Sequence, residues 1–111
     1  MTCDPWEVVV VPFPFSERPQ AKRRPALVLS NRGFNRHGHT ILAMITTGEG
    51  GHRPWPGDTK IADLAASGLE VPCIIRLKLF TLDNRLVLRR LGRLSAADRE
   101  AAGPEIRRQL A

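Results

Sequence analysis

The apolar residues of this chain fall into short runs that end at proline, glycine or charged residues, and this pattern restricts the possible folds more than any other feature. Short runs rich in valine, isoleucine and leucine between turn residues are typical of strands. They predict strands over residues 6–11, 25–30, 40–46, 59–62, 72–79 and 86–93. The apolar residues from Ala26 to Leu29 do not alternate with polar ones, which predicts that this strand is buried on both faces.

The end of the chain has the pattern of a helix. Ser95, followed three residues later by Asp98, is a helix-start signature, and apolar residues continue the helical spacing at Ala97, Ala101, Ile106 and Leu110. The Gly103-Pro104 pair inside that pattern is expected to break or kink the helix, because proline lacks an N–H and clashes with the preceding turn.

The remaining short elements complete the expected fold class. One helical turn is predicted over residues 63–67, closed by Gly68. Short strands, many turns and one terminal helix together predict a mainly β protein with a small, strongly curved antiparallel barrel of about five to seven strands. With 111 residues the chain has room for one modest core, so residues 1–111 are expected to form a single domain.

Positive charge is concentrated in one part of the chain. The 17 basic and 11 acidic residues leave a net charge of +6, which favours polyanionic partners. Residues 16–39 carry a net charge of +5, because they contain six cations and a single acid, Glu17. The cations are Arg18, Lys22, Arg23, Arg24, Arg32 and Arg36. Residues 16–24 are predicted to be a polar loop, so the cations could equally belong to a solvated turn.

The sequence also bounds the cell compartment and the cofactors. Cys3 and Cys73 are too few and too far apart for a metal knuckle or a disulfide framework, so we expect free thiols, no metal and no cofactor. No apolar stretch approaches the roughly 18–20 residues of a membrane helix. Pro12 and Pro14 interrupt the first apolar run, which argues against a signal peptide. We therefore expect a cytoplasmic protein without a membrane partner.

Five segments resemble, in the same order, the successive blocks of the PemK/MazF toxin family: VVVVPFPF, KRRPALVLSN, ILAMITT, SGLEVPCIIRLKLFTLD and RRLGRLSAAD. Together they extend over about residues 6–98. The resemblance implies an SH3-like barrel that works as a homodimer. It also implies the toxin of a type II toxin-antitoxin system, a metal-independent endoribonuclease that cleaves single-stranded RNA, usually mRNA, and is held inactive by a cognate acidic antitoxin.

The resemblance further implies which residues form the site. Arg24 of the Arg-Pro motif and Thr46, which follows the isoleucine of the third strand, would form the catalytic centre. Arg76 matches a cation that some members carry on the fifth strand. This chain departs from the family pattern at Lys78, where certain members carry aspartate, and at Phe80, where many carry arginine.

RNA cleavage needs few protein groups, because the 2′-hydroxyl of RNA is itself the nucleophile. The guanidinium of Arg24 can bind phosphate oxygens in a bidentate manner, and the hydroxyl of Thr46 can donate to a non-bridging oxygen. The resemblance also makes Glu17 a candidate general base, because some members carry a Gly-Ser-Glu-Gln loop whose glutamate acts as a base and this chain has Ser16-Glu17; the alternative is a solvated carboxylate. The candidate RNA-binding residues are Lys22, Arg23, Thr47, Arg76 and Lys78.

Two other functions stay open at this point. The same barrel could be a non-catalytic toxin that blocks a protein target such as a topoisomerase, or a nucleic-acid-binding module without a partner or cleavage activity. Incubation of the purified protein with RNA and EDTA separates a nuclease from both. A neighbouring reading frame for an acidic, partly disordered protein would favour a toxin over a plain binding module.

Overall fold

The computed structural model describes residues 1–13, 22–48 and 53–111. Within these ranges one antiparallel sheet has the strand order β4-β5-β3-β2-β1-β6 and curls strongly. The strands are β1 (Glu7–Phe13), β2 (Lys22–Val28), β3 (His39–Thr47), β4 (Thr59–Lys60), β5 (Cys73–Asp83) and β6 (Arg89–Arg93). The helices are α1 (Arg32–Asn35), α2 (Leu64–Ser67) and α3 (Ala96–Gln109), with a 3₁₀ turn over Asn84–Leu86. The prediction of a mainly β, strongly curved antiparallel fold with a C-terminal helix is confirmed.

The sheet is covered on both faces by two apolar clusters. Leu27 lies in one cluster and its neighbours Ala26 and Val28 lie in the other, and all three side chains are fully buried. The prediction that this strand is buried on both faces is confirmed. The first cluster includes Ala102 of α3, so the terminal helix packs on one face of the sheet.

Strand β2 begins earlier than the sequence predicts. Residues 22–24 were expected in a loop, but Lys22, Arg23 and Arg24 pair with residues 13, 12 and 11 of β1. The prediction is wrong because β1 continues through Pro12 to Phe13. Beyond residue 10 strand β1 has no pairing with β6, and a proline is tolerated where a strand has a free edge. The three cations therefore stand on a strand.

The terminal helix differs from its prediction in the middle. Ser95 caps it as expected, since the Ser95 hydroxyl accepts the backbone N–H of Asp98 at 3.1 Å. The helix then continues through Gly103 and Pro104 to Gln109, so the predicted break is wrong. Proline removes the hydrogen bond to the carbonyl of Glu100. Both Glu100 and Pro104 are exposed, so water can satisfy that carbonyl in place of the lost donor.

Two short helices have clear local causes. Asp63 caps α2 by accepting the N–H of Ala66, and Gly68 ends α2 in the left-handed conformation with φ 75°, as predicted. Helix α1 was not predicted, because its start signal is the single Asn31 side chain, which accepts the N–H of Phe34 at 2.9 Å. Across the described ranges, no helix has the length and apolar character needed to cross a membrane.

Candidate active site

A groove of about 410 Å³ lies between the start of β2, the end of β3 and the segment of residues 68–71. Three arginines line it, Arg23 and Arg24 from β2 and Arg89 from β6. Its polar lining also includes the Thr47 hydroxyl and the Glu70 carboxylate, and its apolar lining is formed by Val10, Pro25, Leu69, Val71, Cys73 and Leu91. This combination of cations and a hydroxyl donor suits a phosphate-containing ligand.

The pairing of three strands brings the arginines together. Val10 of β1 pairs with Pro25 on one side and with Arg89 on the other. Arg24 pairs with the next residue of β1, Val11. A rigid ladder therefore places cations from β2 and β6 on either side of β1. Within the described part of the chain, these arginines form no ion pair, so their charge is available to a ligand.

The segment of residues 68–71 is held against β6 by two glycines. A Cβ on Gly68 would lie 2.1 Å from the carbonyl oxygen of Leu91, and a Cβ on Gly92 would lie 2.3 Å from the carbonyl oxygen of Ala66. Only glycine permits the backbones to approach this closely. The close approach carries Leu69 and Glu70 over the groove as one of its walls.

A buried carboxylate anchors the residues that lead to this wall. The side chain of Asp98 on α3 accepts the backbone N–H of Ala62 at 3.0 Å and that of Asp63 at 2.9 Å. Asp98 is only 3% exposed. Because Asp63 also caps α2, this contact ties the start of α2 to α3. The groove wall is thus supported on its N-terminal side by α3, through residues 62 and 63, and by β6, through Gly68.

Alternation along the strands separates the two threonines. Ala26 pairs with Met44 in the antiparallel β2–β3 ladder. Two residues before Ala26 and two residues after Met44, Arg24 and Thr46 therefore share one face of the sheet. Arg23 and Thr47 share the opposite face. Arg23, Arg24 and Thr47 line the groove, whereas Thr46 is half-buried beside it and is not part of the lining. The structure therefore brings together three of the predicted site residues and leaves Thr46 as a neighbour of Arg24.

The predicted RNA-binding residues of β5 lie elsewhere and have partners in the fold. Arg76 donates from Nη2 to Asp58 Oδ2 at 2.8 Å and from Nε to Asp58 Oδ1 at 3.1 Å. Both side chains are 17% exposed. The ammonium of Lys78 lies 4.8 Å from the ring centroid of Trp55. Neither cation lines the groove, so a role of Arg76 or Lys78 in RNA binding stays a prediction.

The Asp58–Arg76 ion pair changes the titration of both groups. Burial acts to raise the pKa of Asp58, but hydrogen bonds from Arg76 and from the backbone N–H of Trp55 outweigh it, so the pKa of Asp58 lies below its ordinary 3.8. The hydrogen bond to Asp58 raises the pKa of Arg76. Arg76 also donates to the carbonyl of Arg53 at 3.1 Å, so the pair fastens residues 53–58 to the sheet.

The other predicted and missed residues can now be placed. Lys22 pairs with Phe13 at the outer end of the β1–β2 ladder and does not line the groove. Glu17 lies outside the described residues, so its role as a base stays a prediction. The sequence analysis missed Glu70 and Arg89. Their only sequence signals are the left-handed Gly68 before Glu70 and the basic pair that starts β6.

The fold is that of known bacterial toxins. MazF from Deinococcus radiodurans is similar over 96% of this chain and 94% of its own, with a TM-score of 0.70 and 21% identity. The Mycobacterium tuberculosis toxin MazF-mt6 is similar over 90% and 91%, with a TM-score of 0.68 and 22% identity. A mycobacterial endoribonuclease in complex with its cognate antitoxin is similar over 95% and 89%, with a TM-score of 0.67 and 17% identity.

The sequence itself shows the family. The model of the PemK-like, MazF-like toxins of type II toxin-antitoxin systems matches residues 4–110. The chain therefore belongs to this family of toxins. No curated protein matches the sequence. The resemblance stated from the five sequence segments is confirmed.

Proposed function

We propose that this chain is a metal-independent endoribonuclease, which cleaves single-stranded RNA, above all mRNA, and thereby inhibits translation and growth. The observation that carries the proposal is the groove in which Arg23, Arg24 and Arg89 stand without ion-pair partners among the described residues, beside the hydroxyl of Thr47. Membership of a toxin family supports the biological role.

The chemistry follows from what RNA itself supplies. The 2′-oxygen attacks the adjacent phosphorus, the bond from phosphorus to the 5′-oxygen breaks, and a 2′,3′-cyclic phosphate and a 5′-hydroxyl result. Negative charge builds on the phosphoryl oxygens in the transition state, where a guanidinium is most effective. We assign this charge stabilisation to Arg24, with Thr46 on the same sheet face as a donor. RNA binding is assigned to Lys22, Arg23, Thr47, Arg76 and Lys78.

The backbone around Arg24 suits this role. Pro25 fixes its own φ and restricts Arg24 to an extended conformation, and the next residue, Ala26, is fully buried. Arg24 therefore projects from a stiff support, which lets a long side chain reach the same phosphate position repeatedly.

The partners belong to the same proposal. A structurally similar endoribonuclease was solved with its cognate antitoxin. The net charge of +6 and the unpaired groove cations of the present chain would attract an acidic antitoxin segment, which would compete with RNA for the groove. A homodimer, as the family resemblance implies, and a cytoplasmic location, as the sequence pattern predicts, complete the proposed arrangement.

A cleavage assay with the purified protein tests the proposal. The protein should cut a labelled single-stranded RNA in the presence of EDTA, and a 2′-deoxy substitution at the cut site should abolish cutting. Arg24→Ala should lower the rate at saturating RNA by about 10²-fold or more, the usual scale of losing a transition-state charge donor. Arg108→Ala, which removes an exposed arginine of α3 outside the groove, should leave the rate unchanged.

The same assay separates the two other functions. Binding of RNA without cleavage would refute the nuclease and support a nucleic-acid-binding module. Growth arrest by a protein that neither binds nor cuts RNA would support a toxin that acts on a protein target.

A further inference from the structure

Among the residues of the described ranges that line the groove, Glu70 is the only acidic one. Within the described ranges the Glu70 carboxylate has neither a hydrogen-bond donor nor an ion-pair partner, and the residue is exposed. A carboxylate without a partner, in a groove that three arginines also line, makes no contact that stabilises the described fold.

We infer that Glu70 is the general base that removes the proton of the attacking 2′-hydroxyl. This inference rests on the proposed ribonuclease function. As the bond from the 2′-oxygen to phosphorus forms, the proton passes to a carboxylate oxygen of Glu70 and is then released to solvent. The electron pair of the breaking bond goes to the 5′-oxygen, which takes a proton from water. Atoms and charge balance, and no cofactor is needed.

The other titratable groups of the groove do not suit this task. Arg23 and Arg24 on β2 and Arg89 on β6 carry guanidinium groups, which donate hydrogen bonds and have no atom that accepts a proton. The Cys73 thiol on β5 is 2% exposed, and burial raises its pKa, so it remains a neutral thiol. Among the described residues that line the groove, Glu70 alone combines exposure with a side chain that accepts protons.

The wall that carries Glu70 is positioned for catalysis. The contact between Gly68 and Leu91 sets where the chain leaves α2, two residues before Glu70. A base must come within about 2.6–3.2 Å of its target in the substrate complex, which needs such a fixed support. The groove volume of about 410 Å³ is within the usual range for small-ligand sites, and both Arg24 and Glu70 line it, as contact of both with one nucleotide requires.

The test compares single-turnover cleavage at saturating RNA across pH. Glu70→Gln keeps the size of the side chain and removes the base. We expect kcat to fall by about 10²–10⁴-fold, with KM little changed and the rise of the rate with pH lost. Glu70→Asp should retain that rise at a lower rate. Glu100→Gln, which alters an exposed glutamate of α3 outside the groove, should behave like the wild type.

Chemical rescue separates a base from a structural residue. Glu70→Ala leaves space at the wall, and added formate should restore part of its rate by accepting the proton. A wild-type pH profile in Glu70→Gln, a change confined to KM, or loss of the pH dependence in Glu17→Gln instead would overturn the inference. Failure of the wild-type protein itself to cut RNA would refute the proposed function. The wild-type reactions of the same assay show that result separately from any effect of the Glu70 variants.

Discussion

Removal of the Asp98 carboxylate tests whether α3 supports the groove wall. In Asp98→Ala the backbone N–H groups of Ala62 and Asp63 lose their acceptor, at contacts of 3.0 and 2.9 Å. A hydrogen bond to a charged group contributes about 1.5–3 kcal/mol. Two such bonds give an upper bound of about 6 kcal/mol, which water reduces because Ala62 and Asp63 are exposed residues. We expect the free energy of unfolding to fall by about 3–4 kcal/mol.

That loss is large for a domain of this size, since whole domains are stable by only about 5–15 kcal/mol. Urea unfolding followed by circular dichroism measures it, with an unchanged m-value as the sign that two-state behaviour is retained. Asp63→Ala is the matched control. It removes the acceptor of one bond, at 3.0 Å to the N–H of Ala66, at an exposed helix start, and should cost about 1 kcal/mol.

The outcome that would refute this reasoning is a similar small loss in both variants. It would mean that the buried carboxylate contributes no more than an exposed helix cap. The cleavage rate adds a second readout. At a temperature where Asp98→Ala is still folded, its rate should fall, because the wall at residues 68–71 loses one of its two supports.

Three further predictions follow from the same contacts. Lys22→Ala and Arg23→Ala should weaken RNA binding and reduce the slope of affinity against salt, which filter binding measures. Their cleavage rate at saturating RNA should stay near that of the wild type in single-turnover assays. Gly92→Ala should lower the free energy of unfolding by about 1–3 kcal/mol, because its Cβ would meet the carbonyl of Ala66, and it should lower cleavage as well. The Asp58–Arg76 pair should stabilise the protein above pH 3.8, and that stability should disappear as the pH falls through the lower folded pKa of Asp58. The melting temperature of Asp58→Asn should therefore decline less between about pH 5 and 2 than that of the wild type.

The strand pattern could be predicted from the sequence because uninterrupted apolar runs indicate which segments are buried. Runs such as the one that begins at Ala26 are apolar without interruption, and they are buried on both faces of the sheet. The start of β2 could not be predicted, because exposed cations at positions 22–24 are equally compatible with a loop and with a strand end. What decides between the two is pairing with β1, a contact between segments that sequence spacing does not reveal.

The candidate site was predictable in part for the same reason. Arg24 has a local signal, since it precedes a proline and a buried strand. Glu70 and Arg89 have only the preceding Gly68 and the basic pair of β6 as signals, and neither indicates that the two residues meet, which happens only when α2 packs against β6 through Gly68 and Gly92. The ion pair of Arg76 with Asp58 could not be predicted from the sequence either, because β4 and α2 lie between the two residues along the chain.

The position of the three adjacent cations on a strand changes how their roles divide. Alternation sends the side chains of Lys22 and Arg24 to one face of the sheet and that of Arg23 to the other, although Arg23 and Arg24 both line the groove. Distance from the core then separates Lys22 from Arg24. Lys22 pairs with exposed Phe13 at the end of the ladder, whereas Arg24 precedes Pro25 and the fully buried Ala26. Restraint therefore decreases from Arg24 outward, and in the proposed reaction we expect the most restrained cation to be the one that holds the phosphate in a fixed geometry.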